Sequence, residues 1–391
     1  MNTPLKVLIV TQSLEVWGAE RTLIELSKRV DHERIQLTFL VAHASPLAAV
    51  VRDLGFAVVN HRFARHPALE RNGGLQGAGV RLLLLEALSA WGGGWRLAPV
   101  LRRFDLVLSF SIWQAIETSV ASKLSRRPLV LDLHETFSGR RGHSVVRALA
   151  RLSRGVIAPS LSVLQRSGLE PSSTISVIPR PVTVPLDHPK TPHLRPSDIL
   201  VGVFGQISPH KGVDSVIESV AACRSDSVRV LIVGGRPEEI RTDYEKKVRS
   251  SAARLGARAS VVDTVPHVGE LMSTCDFVVN ASDHEAFGRG IVEAIAARAV
   301  PISVGDSGPK EIIQDTGIGV ALDSISALTG YLDSLAEGTV PRPKVDDESR
   351  AAALAQYDPI RIADAYFRTL EQLAGGTMDG ARPLDSSQTR L

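Results

Sequence analysis

The chain has 391 residues, 44% of them hydrophobic and 22% charged, which is typical of a globular protein large enough for two or three domains. Its formal net charge is only +3 and it has no dense basic tract interleaved with aromatic residues, which argues against a nucleic-acid-binding protein. Its two scattered cysteines, Cys223 and Cys275, argue against a disulfide scaffold or structural metal and favour a reducing compartment.

The amino-terminal half alternates strand-like and helix-like stretches. The opening apolar run is too short for a signal peptide, and no run reaches about 18 apolar residues, so we expect a cytoplasmic protein without a membrane span. Strand-like runs are predicted at 5–10, 35–42, 56–60, 104–110, 128–133, 155–159 and 174–178. Helical patterns separate most of these runs, beginning with residues 18–30. This β-α-β order predicts a parallel, doubly wound sheet.

Two stretches interrupt the alternation. Residues 62–80 are rich in Arg and Gly and predict a long loop, which is followed by exposed-looking hydrophobic residues at 82–88 and 91–95. A polar loop at 136–142 leads into a basic amphipathic helix at 143–154. Two interpretations stay open for these stretches. They form either a mobile insertion and a solvated basic face, or a surface that meets an acceptor or anionic lipid.

The segment 179–196 holds six prolines, which forbid a long helix and predict an extended interdomain linker. Beyond it, strands are predicted at 199–204, 228–233, 259–262, 276–280, 300–304 and 319–321. One long helix is predicted at 237–255 and a last helix at 359–373, before a polar, disordered end. Two doubly wound sheets joined by a linker predict a cleft, with ligands bound beyond the carboxyl ends of the strands.

The most informative stretch is 283–294, DHEAFGRGIVEA, which follows a strand-like run and opens a helix-like one. Glu285 and Glu293 bracket two glycines there. Small residues at a helix start leave backbone N–H groups free at the positive end of the dipole, so the stretch predicts an anion site between two carboxylates. Eight residues of helix rise roughly 12 Å, too far for the paired carboxyl groups of a retaining glycosidase. The alternative is a simple helix start with a turn acid and a solvent-facing Glu293.

Six segments, taken in order, resemble a known family. HEAFGRGIVEAIAARAVPISV resembles the signature of retaining family-4 glycosyltransferases of the GT-B fold, and GQISPHKGVDSVIES resembles the glycine- and lysine-containing loop of that family. Four further matches are EVWGAERTLIEL, LVLDLHE, the pair VIAPS and VIPRPV, and VPHVGELMSTCDFVVNAS. Together they extend over residues 5–375.

The resemblance implies an α/β protein with two Rossmann-like domains facing each other across a cleft. The amino-terminal, acceptor-side domain would comprise 1–182 and a crossing carboxy-terminal helix at 357–375. A linker at 183–197 would lead to a nucleotide-sugar-binding domain at 198–356, and 376–391 would be a disordered tail.

The same resemblance assigns roles in binding the donor. Glu293 would bind the ribose hydroxyls of the nucleotide, and Glu285 the hydroxyls of the donor sugar. The backbone at Phe287, Gly288 and Arg289 would meet the sugar and the diphosphate at the helix start, which agrees with the anion site predicted from the residues themselves.

Four further residues are assigned by the resemblance. Lys211 would neutralise the diphosphate leaving group, and His134 would reach towards the sugar from the amino-terminal domain. Gly18 would let the first loop approach the donor. Gln206 stands where the family has an arginine, so it can donate a hydrogen bond to the diphosphate but no positive charge.

The implied function is transfer of a hexose from a UDP- or GDP-sugar to a hydroxyl acceptor with retention of configuration. The acceptor would be a glycan, a glycolipid or another cell-envelope precursor, with peripheral contact at the inner face of the plasma membrane. The sequence has no Asp-x-Asp motif, so we expect no essential metal, and we expect no cofactor or nucleic-acid partner.

Several alternatives remain. They are a catalytically impaired nucleotide-sugar-binding subunit, an enzyme that glycosylates a small specialised metabolite, and another GT-B enzyme such as an epimerase or phosphorylase. A Rossmann dehydrogenase is disfavoured because no G-x-G-x-x-G follows the first strand.

Overall fold

The structure is a computed structural model, described here for residues 3–11, 18–43, 45–64, 80–135, 139–183 and 197–375. The chain divides into two compact units. Unit 1 comprises Met1–Pro181 and Pro359–Leu391, and unit 2 comprises Val182–Asp358. Nearly all of the predicted linker at 183–197, most of the predicted loop at 62–80 and the whole predicted tail at 376–391 lie outside the described residues.

Unit 1 is built on one parallel sheet. Its described strands are β1 Leu5–Thr11, β2 Ile35–Ala42, β3 Ala57–His61, β4 Leu106–Ser109, β5 Leu129–Asp132, β6 Gly155–Ala158 and β7 Ile175–Val177. The spatial order is β3-β2-β1-β4-β5-β6-β7, with parallel pairing throughout. The central strands are apolar runs buried on both faces, as a sheet covered by helices on both sides requires.

The helices of unit 1 that precede the linker connect successive strands. They are α1 Gly18–Ser27, α2 Pro46–Asp53, α3 Val80–Leu101, α4 Ile112–Ser125, α5 Gly139–Leu152 and α6 Leu161–Arg166. Helix α4 shows how local chemistry sets the bounds. The Ser111 hydroxyl accepts from the Trp113 N–H at its start, and Arg126 adopts a left-handed conformation at its end.

Unit 2 repeats the architecture with β8 Ile199–Phe204, β9 Val228–Gly235, β10 Ala259–Asp263, β11 Phe277–Asn280, β12 Val300–Val304 and β13 Val320–Leu322. The described strands are again all parallel, in the order β10-β9-β8-β11-β12-β13. Its helices are α7 Val213–Ala222, α8 Asp243–Arg254, α9 Val268–Thr274, α10 Arg289–Ala296, α11 Gly308–Thr316, α12 Ile325–Ala336 and α13 Asp347–Gln356. The predicted α/β class with two doubly wound sheets is therefore confirmed.

The last helix, α14 Pro359–Gly375, returns to unit 1, where it contacts α1. It buries Tyr366, Phe367, Leu370 and Leu373 in that unit. The exposed Arg34 adds ion pairs with Glu371 and, at 3.6 Å, with Asp364. Unit 1 is thus assembled from both ends of the chain.

Two predicted elements differ from the structure. The predicted helix at 237–255 is a short 3-10 turn, Glu238–Ile240, followed by α8, because the Thr242 hydroxyl accepts from the Glu245 N–H and starts a new helix. The predicted hydrophobic stretches at 82–88 and 91–95 belong to the single helix α3. Five of its large apolar residues are exposed and two, Leu97 and Leu101, are buried, so the usual amphipathic signal does not identify the buried face.

Each sheet has one point where the order of its strands reverses. In unit 1 this point lies between β1 and β4, and in unit 2 between β8 and β11. Helices on either side of such a point diverge, so the carboxyl ends of the two strands border a crevice where open α/β sheets bind ligands. Within the described residues, no helix is long and apolar enough to cross a membrane.

Candidate active site

In unit 2 the loops that follow β8 and β11 are joined by an ion pair. The Lys211 ammonium donates to the Glu285 carboxylate, and the side chains are 30% and 20% exposed. The Asp283 N–H donates to the His210 carbonyl at 3.2 Å and connects the same two loops. Two predicted site residues, 74 positions apart in the chain, therefore meet at the strand-order reversal of the sheet.

The position of Lys211 depends on the glycine that follows it. Lys211 ends a 3-10 turn, Pro209–Lys211, and Gly212 then takes a left-handed conformation with φ of +62° before α7. A Cβ at Gly212 would lie 2.4 Å from the Ala281 carbonyl oxygen. Only glycine allows this turn and this approach, so it fixes the Lys211 backbone against the loop that carries Glu285.

The turn that carries Glu285 is held by the start of α11. The Gly308 N–H donates to the Glu285 carbonyl at 3.1 Å, and a Cβ at Gly308 would lie 2.5 Å from the Ala286 carbonyl oxygen. Gly288, with φ of +94°, sits so close to Pro309 that an added Cβ would be 2.6 Å from the proline Cγ. Pro309 lies in the first turn of α11, where a helix does not need its N–H.

Helix α10 begins directly after this turn. Its first residue, Arg289, is followed by Glu293 one turn later, and the guanidinium and carboxylate are 3.6 Å apart. The Phe287 ring is buried and packs at 5.8 Å from the Tyr357 ring, so this residue can offer a ligand only its backbone. The start of α10 is the positive end of the helix dipole, which favours an anion. Glu285 precedes this start, and Glu293 follows it by one turn.

Gln206 follows β8 by two positions and is half-buried. The preceding Gly205 has φ of +131°, and its carbonyl approaches the end of β9 so closely that a Cβ at Gly234 would lie 2.0 Å from its oxygen. The backbone that leads to Gln206 is thus fixed by two glycines on neighbouring strands.

Sequence reasoning missed a cluster at the carboxyl ends of β9 and β10. The buried Glu245 carboxylate accepts from the Arg236 N–H at 2.8 Å and from Arg249 at 3.3 Å. Arg249 also binds Asp263, and Arg241 lies 3.4 Å from the same carboxylate. The i, i+4 spacing of Glu245 and Arg249 is visible in the sequence, but it does not distinguish a buried cluster from a solvated pair. The cluster holds the loop after β9.

In unit 1, His134 follows β5 by two positions. Its ring lies 4.6 Å from the Phe110 ring, centroid to centroid, and its Nδ1 lies 3.4 Å from a carboxylate oxygen of the buried Asp132. Phe110 follows β4, so the histidine lies at the carboxyl end of the sheet, next to the strands at its reversal point. This is the end of an α/β sheet that binds ligands.

Asp132 is bound from three sides. Arg180 engages both of its oxygens in a fork, and the Tyr366 hydroxyl donates to Oδ2 at 2.7 Å. Neither partner was predicted, and no local signal could have identified them, because they lie 48 and 234 positions away in the chain. The structure gives Arg180 a role in positioning Asp132 and, through it, His134.

The contacts between Asp132 and its neighbours shift the pKa values of both Asp132 and His134. Burial alone would raise the pKa of Asp132, but the positive Arg180 and the hydrogen bonds from His134 and Tyr366 outweigh it, so the pKa is lowered. Burial alone would lower the pKa of His134, but the hydrogen bond to Asp132 and the charge of nearby Glu135 outweigh it and raise the pKa. The contact between Nδ1 and the Asp132 carboxylate holds the imidazole with its Nδ1 side towards Asp132.

Gly18 is the first residue of α1 and is exposed. A Cβ added there would meet nothing within 4 Å, so packing within unit 1 does not require a glycine. The loop at 12–17, for which the close approach was predicted, lies outside the described residues.

Comparisons with known proteins identify a family to which part of the chain is similar. Residues 187–350 match the family Glycosyl transferases group 1. Unit 2 carries a group 1 glycosyl transferase domain. The matched range contains Lys211, Glu285 and Glu293, so the family resemblance inferred from their motifs is confirmed for this part of the chain.

Two curated relatives match more distantly. The probable sucrose-phosphate synthase of Thermosipho melanesiensis is 24% identical over 203 residues, which are 51% of this chain and 47% of that protein. The GDP-mannose:cellobiosyl-diphosphopolyprenol alpha-mannosyltransferase of Xanthomonas oryzae pv. oryzae is 28% identical over 142 residues, 34% of this chain and 37% of that protein. The chain thus spans half or less of the length of these relatives.

A solved structure matches almost the whole chain. Anabaena HepE in complex with UDP and glucose superposes with a TM-score of 0.71 at 21% identity, over 94% of this chain and all of that one. This likeness shows the fold, and the fold is GT-B.

Proposed function

We propose that the protein is a glycosyltransferase that moves a hexose from a UDP- or GDP-sugar to a hydroxyl acceptor with retention of configuration. The observation that carries the proposal is the Lys211–Glu285 ion pair at the strand-order reversal of unit 2, directly before the start of α10. It combines a cation, a carboxylate and a helix start, which together suit a diphosphate attached to a polyhydroxyl group.

Each residue of unit 2 has a role in this proposal. The backbone from Phe287 to Arg289 binds the diphosphate at the start of α10, and Glu293 binds the ribose hydroxyls. Glu285 binds the hydroxyls of the sugar. Lys211, released from Glu285 when the donor arrives, neutralises the charge that develops on the leaving phosphate, and Gln206 donates a hydrogen bond to it.

The chemistry proposed is attack of the acceptor hydroxyl on the anomeric carbon from the face that the diphosphate leaves. The glycosidic C–O bond to phosphate breaks, a new C–O bond to the acceptor oxygen forms, and the departing phosphate takes the hydroxyl proton. The protein contributes positioning and leaving-group stabilisation. His134 orients the sugar, with Asp132 holding its ring. We expect no metal or cofactor to be essential, so EDTA should leave turnover unchanged, and loss of turnover would contradict this part.

We propose an acceptor that is a glycan or lipid-linked precursor of the cell envelope, reached at the inner face of the plasma membrane. The similarity to an enzyme whose name specifies a diphosphopolyprenol-linked acceptor supports this class. The similarity to a protein crystallised with UDP and glucose supports UDP among the candidate donors. A small specialised metabolite remains the alternative acceptor.

One observation favours a second function, a nucleotide-sugar-binding subunit without efficient transfer. Gln206 supplies no charge where the family has an arginine, so the leaving group would have one cation fewer. Tight donor binding without transfer or slow hydrolysis would support this second function.

A binding panel tests the proposal. Thermal shift and calorimetry with UDP, GDP, ADP, dTDP and their sugar conjugates should give stabilisation by one base in the wild type. Glu293→Ala should lose that shift, while Glu270→Ala, an exposed glutamate on α9 of the same unit, should keep it. Absence of a shift with every nucleotide would contradict both the transferase and the binding-subunit proposals.

A further inference from the structure

We propose that the outer face of α3 in unit 1 is a membrane-docking surface that lies on anionic lipid bilayers. The surface, called the α3 stripe below, consists of Leu84, Leu85, Leu88, Trp91 and Trp95. The inference rests on the proposed function for contact with a membrane and deepens it, since it assigns that contact to a surface that no step of sugar transfer uses.

The α3 stripe is apolar where a surface helix is normally polar. Its five side chains are each between 54% and 68% exposed. Four of them recur at spacings of four, three and four residues, which places them in one line along the helix. Single exposed leucines need no explanation, but a contiguous line of large apolar side chains marks an interaction surface.

The packing of the inner face of α3 against α4 keeps the side chains of the α3 stripe exposed. The side that meets the protein carries the small residues Ala90, Gly93, Gly94 and Ala98, and beyond them the buried Leu97 and Leu101. A Cβ at Gly93 would lie 2.1 Å from a carboxylate oxygen of Glu117 on α4, and one at Gly94 would lie 2.5 Å from Val120 Cγ1. The helix therefore cannot rotate to bury its tryptophans, because its approach to α4 at Gly93 and Gly94 leaves no room for a large side chain.

The charges around the α3 stripe identify the partner. Exposed arginines border it, namely Arg81, Arg96, Arg102 and Arg103. The one acidic residue of α3 is Glu86, which is buried, and the next carboxylate along the chain, Asp105, accepts from the Lys6 N–H at 3.0 Å. The outer face of α3 is therefore apolar and cationic without a carboxylate, and tryptophan, leucine and arginine on one helix face are the composition of helices that lie in a lipid interface.

A second copy of the chain is a poorer partner. Two α3 stripes packed against each other would bring arginines together, and the outer faces of the two helices have no carboxylate to pair with them. An anionic headgroup layer supplies that charge at every arginine near its surface.

The basic helix α5, which the sequence also indicated as a lipid contact, differs from α3. Its apolar residues Val146 and Leu149 are buried in unit 1, so its outer face offers charge and little apolar area. Contacts place α4 between α3 and α5, and right-handed crossovers place all three helices on one face of the sheet. The arginines of α5 can therefore add attraction, but α3 supplies the insertion.

Vesicle flotation tests the surface without donor or acceptor, so its outcome is independent of sugar transfer. The full chain should float with phosphatidylcholine vesicles containing phosphatidylglycerol and much less with phosphatidylcholine alone. The double variant Trp91→Ala with Trp95→Ala should reduce flotation at least tenfold. The matched control, Leu54→Ala with Leu161→Ala, removes isolated exposed leucines of the same unit and should change nothing.

The contributions of the arginine charges and of the inserted tryptophans to vesicle binding can be measured separately. Arg96→Gln should weaken flotation and its salt dependence, and Arg147→Gln with Arg151→Gln on α5 should weaken it less than the tryptophan variant does. Tryptophan fluorescence should shift to the blue on adding the anionic vesicles, and this shift should disappear in Trp91→Phe with Trp95→Phe.

Three results would overturn the proposal. The first is flotation that is absent or insensitive to the tryptophan variant. The second is a dimer, seen by light scattering, that becomes a monomer in that variant without any change in lipid binding. The third is a monomer whose Trp91 and Trp95 resist acrylamide quenching without lipid, because the chain itself would then cover the α3 stripe.

Discussion

At the residue scale, Asp132 and His134 form a pair whose charges are coupled to stability. The pKa of His134 is raised in the fold, so the stability it contributes is fully present below its unfolded pKa of about 6.5 and is lost as pH rises through the folded pKa. We expect the melting-temperature advantage of wild type over His134→Gln to shrink between about pH 6 and pH 9.

His210 provides a control of opposite sign. Burial and then the charge of Lys211 lower its pKa, and the neighbouring acids Glu285 and Asp283 do not reverse this. Wild type should therefore lose stability relative to His210→Gln as pH falls through the folded pKa. The same trend for both histidines would contradict the assigned environments.

Lys211 should matter more for turnover than for folding. Its ion pair with Glu285 is partly exposed, and such pairs contribute at most about 1 kcal/mol to stability. A cation on a leaving phosphate is comparable to a donor whose loss costs about 100- to 1,000-fold in kcat. Lys211→Ala should show this kinetic loss with little change in melting temperature. Lys247→Ala, which removes an exposed lysine 3.9 Å from Asp214, should show neither. A Lys211→Ala enzyme with wild-type kcat would contradict the role proposed for the lysine.

At the element scale, the turn before α10 depends on backbone geometry that only glycine provides. Gly288→Ala should destabilise unit 2 by about 1–2 kcal/mol from its left-handed φ alone, and more from the 2.6 Å clash with Pro309. Gly290, two residues on in the helix, has open space around its Cβ position. Gly290→Ala should therefore be neutral or stabilise by about 0.5–1 kcal/mol, as measured by thermal unfolding. Equal effects at the two glycines would contradict the described turn.

The sequence predicts elements well where one physical signal dominates. Buried parallel strands are continuous apolar runs, so β1, β8 and β12 are predicted within a residue or two. Helix α3 was not predicted because five of its large apolar side chains are exposed, while its buried side mixes alanine and glycine with Leu97 and Leu101. Helix α8 was predicted too long because the Thr242 cap was not recognised.

At the scale of the whole molecule, the return of α14 to unit 1 should depend on one buried contact more than on surface charge. Tyr366→Phe removes a hydrogen bond to the buried Asp132 carboxylate and should cost about 2 kcal/mol. Arg34→Ala removes exposed ion pairs with the same helix and should cost less than about 1 kcal/mol. Comparable losses in thermal unfolding would show that the surface pairs carry more of the attachment than expected.

In the candidate site, too, residues in local motifs were predicted, and partners from distant parts of the chain were not. Glu285 and Glu293 were predicted from a short motif after a recognisable strand, and Lys211 from the resemblance of its loop to that of the family. The residues that hold Asp132 and His134 in place come from distant parts of the chain, and single-sequence patterns carry no information on such pairs. The buried Glu245 cluster was missed because its spacing is equally that of a solvated surface pair.

The insertion of unit 2 between the two parts of unit 1 has a consequence for biosynthesis. Asp132, His134 and Arg180 are translated before unit 2, but Tyr366 is translated only after every residue of unit 2 has been made. Nascent unit 1 must therefore wait, with the groove for α14 open to water and its apolar lining uncovered, while the second unit is synthesised. The part of the protein that is translated first is completed last.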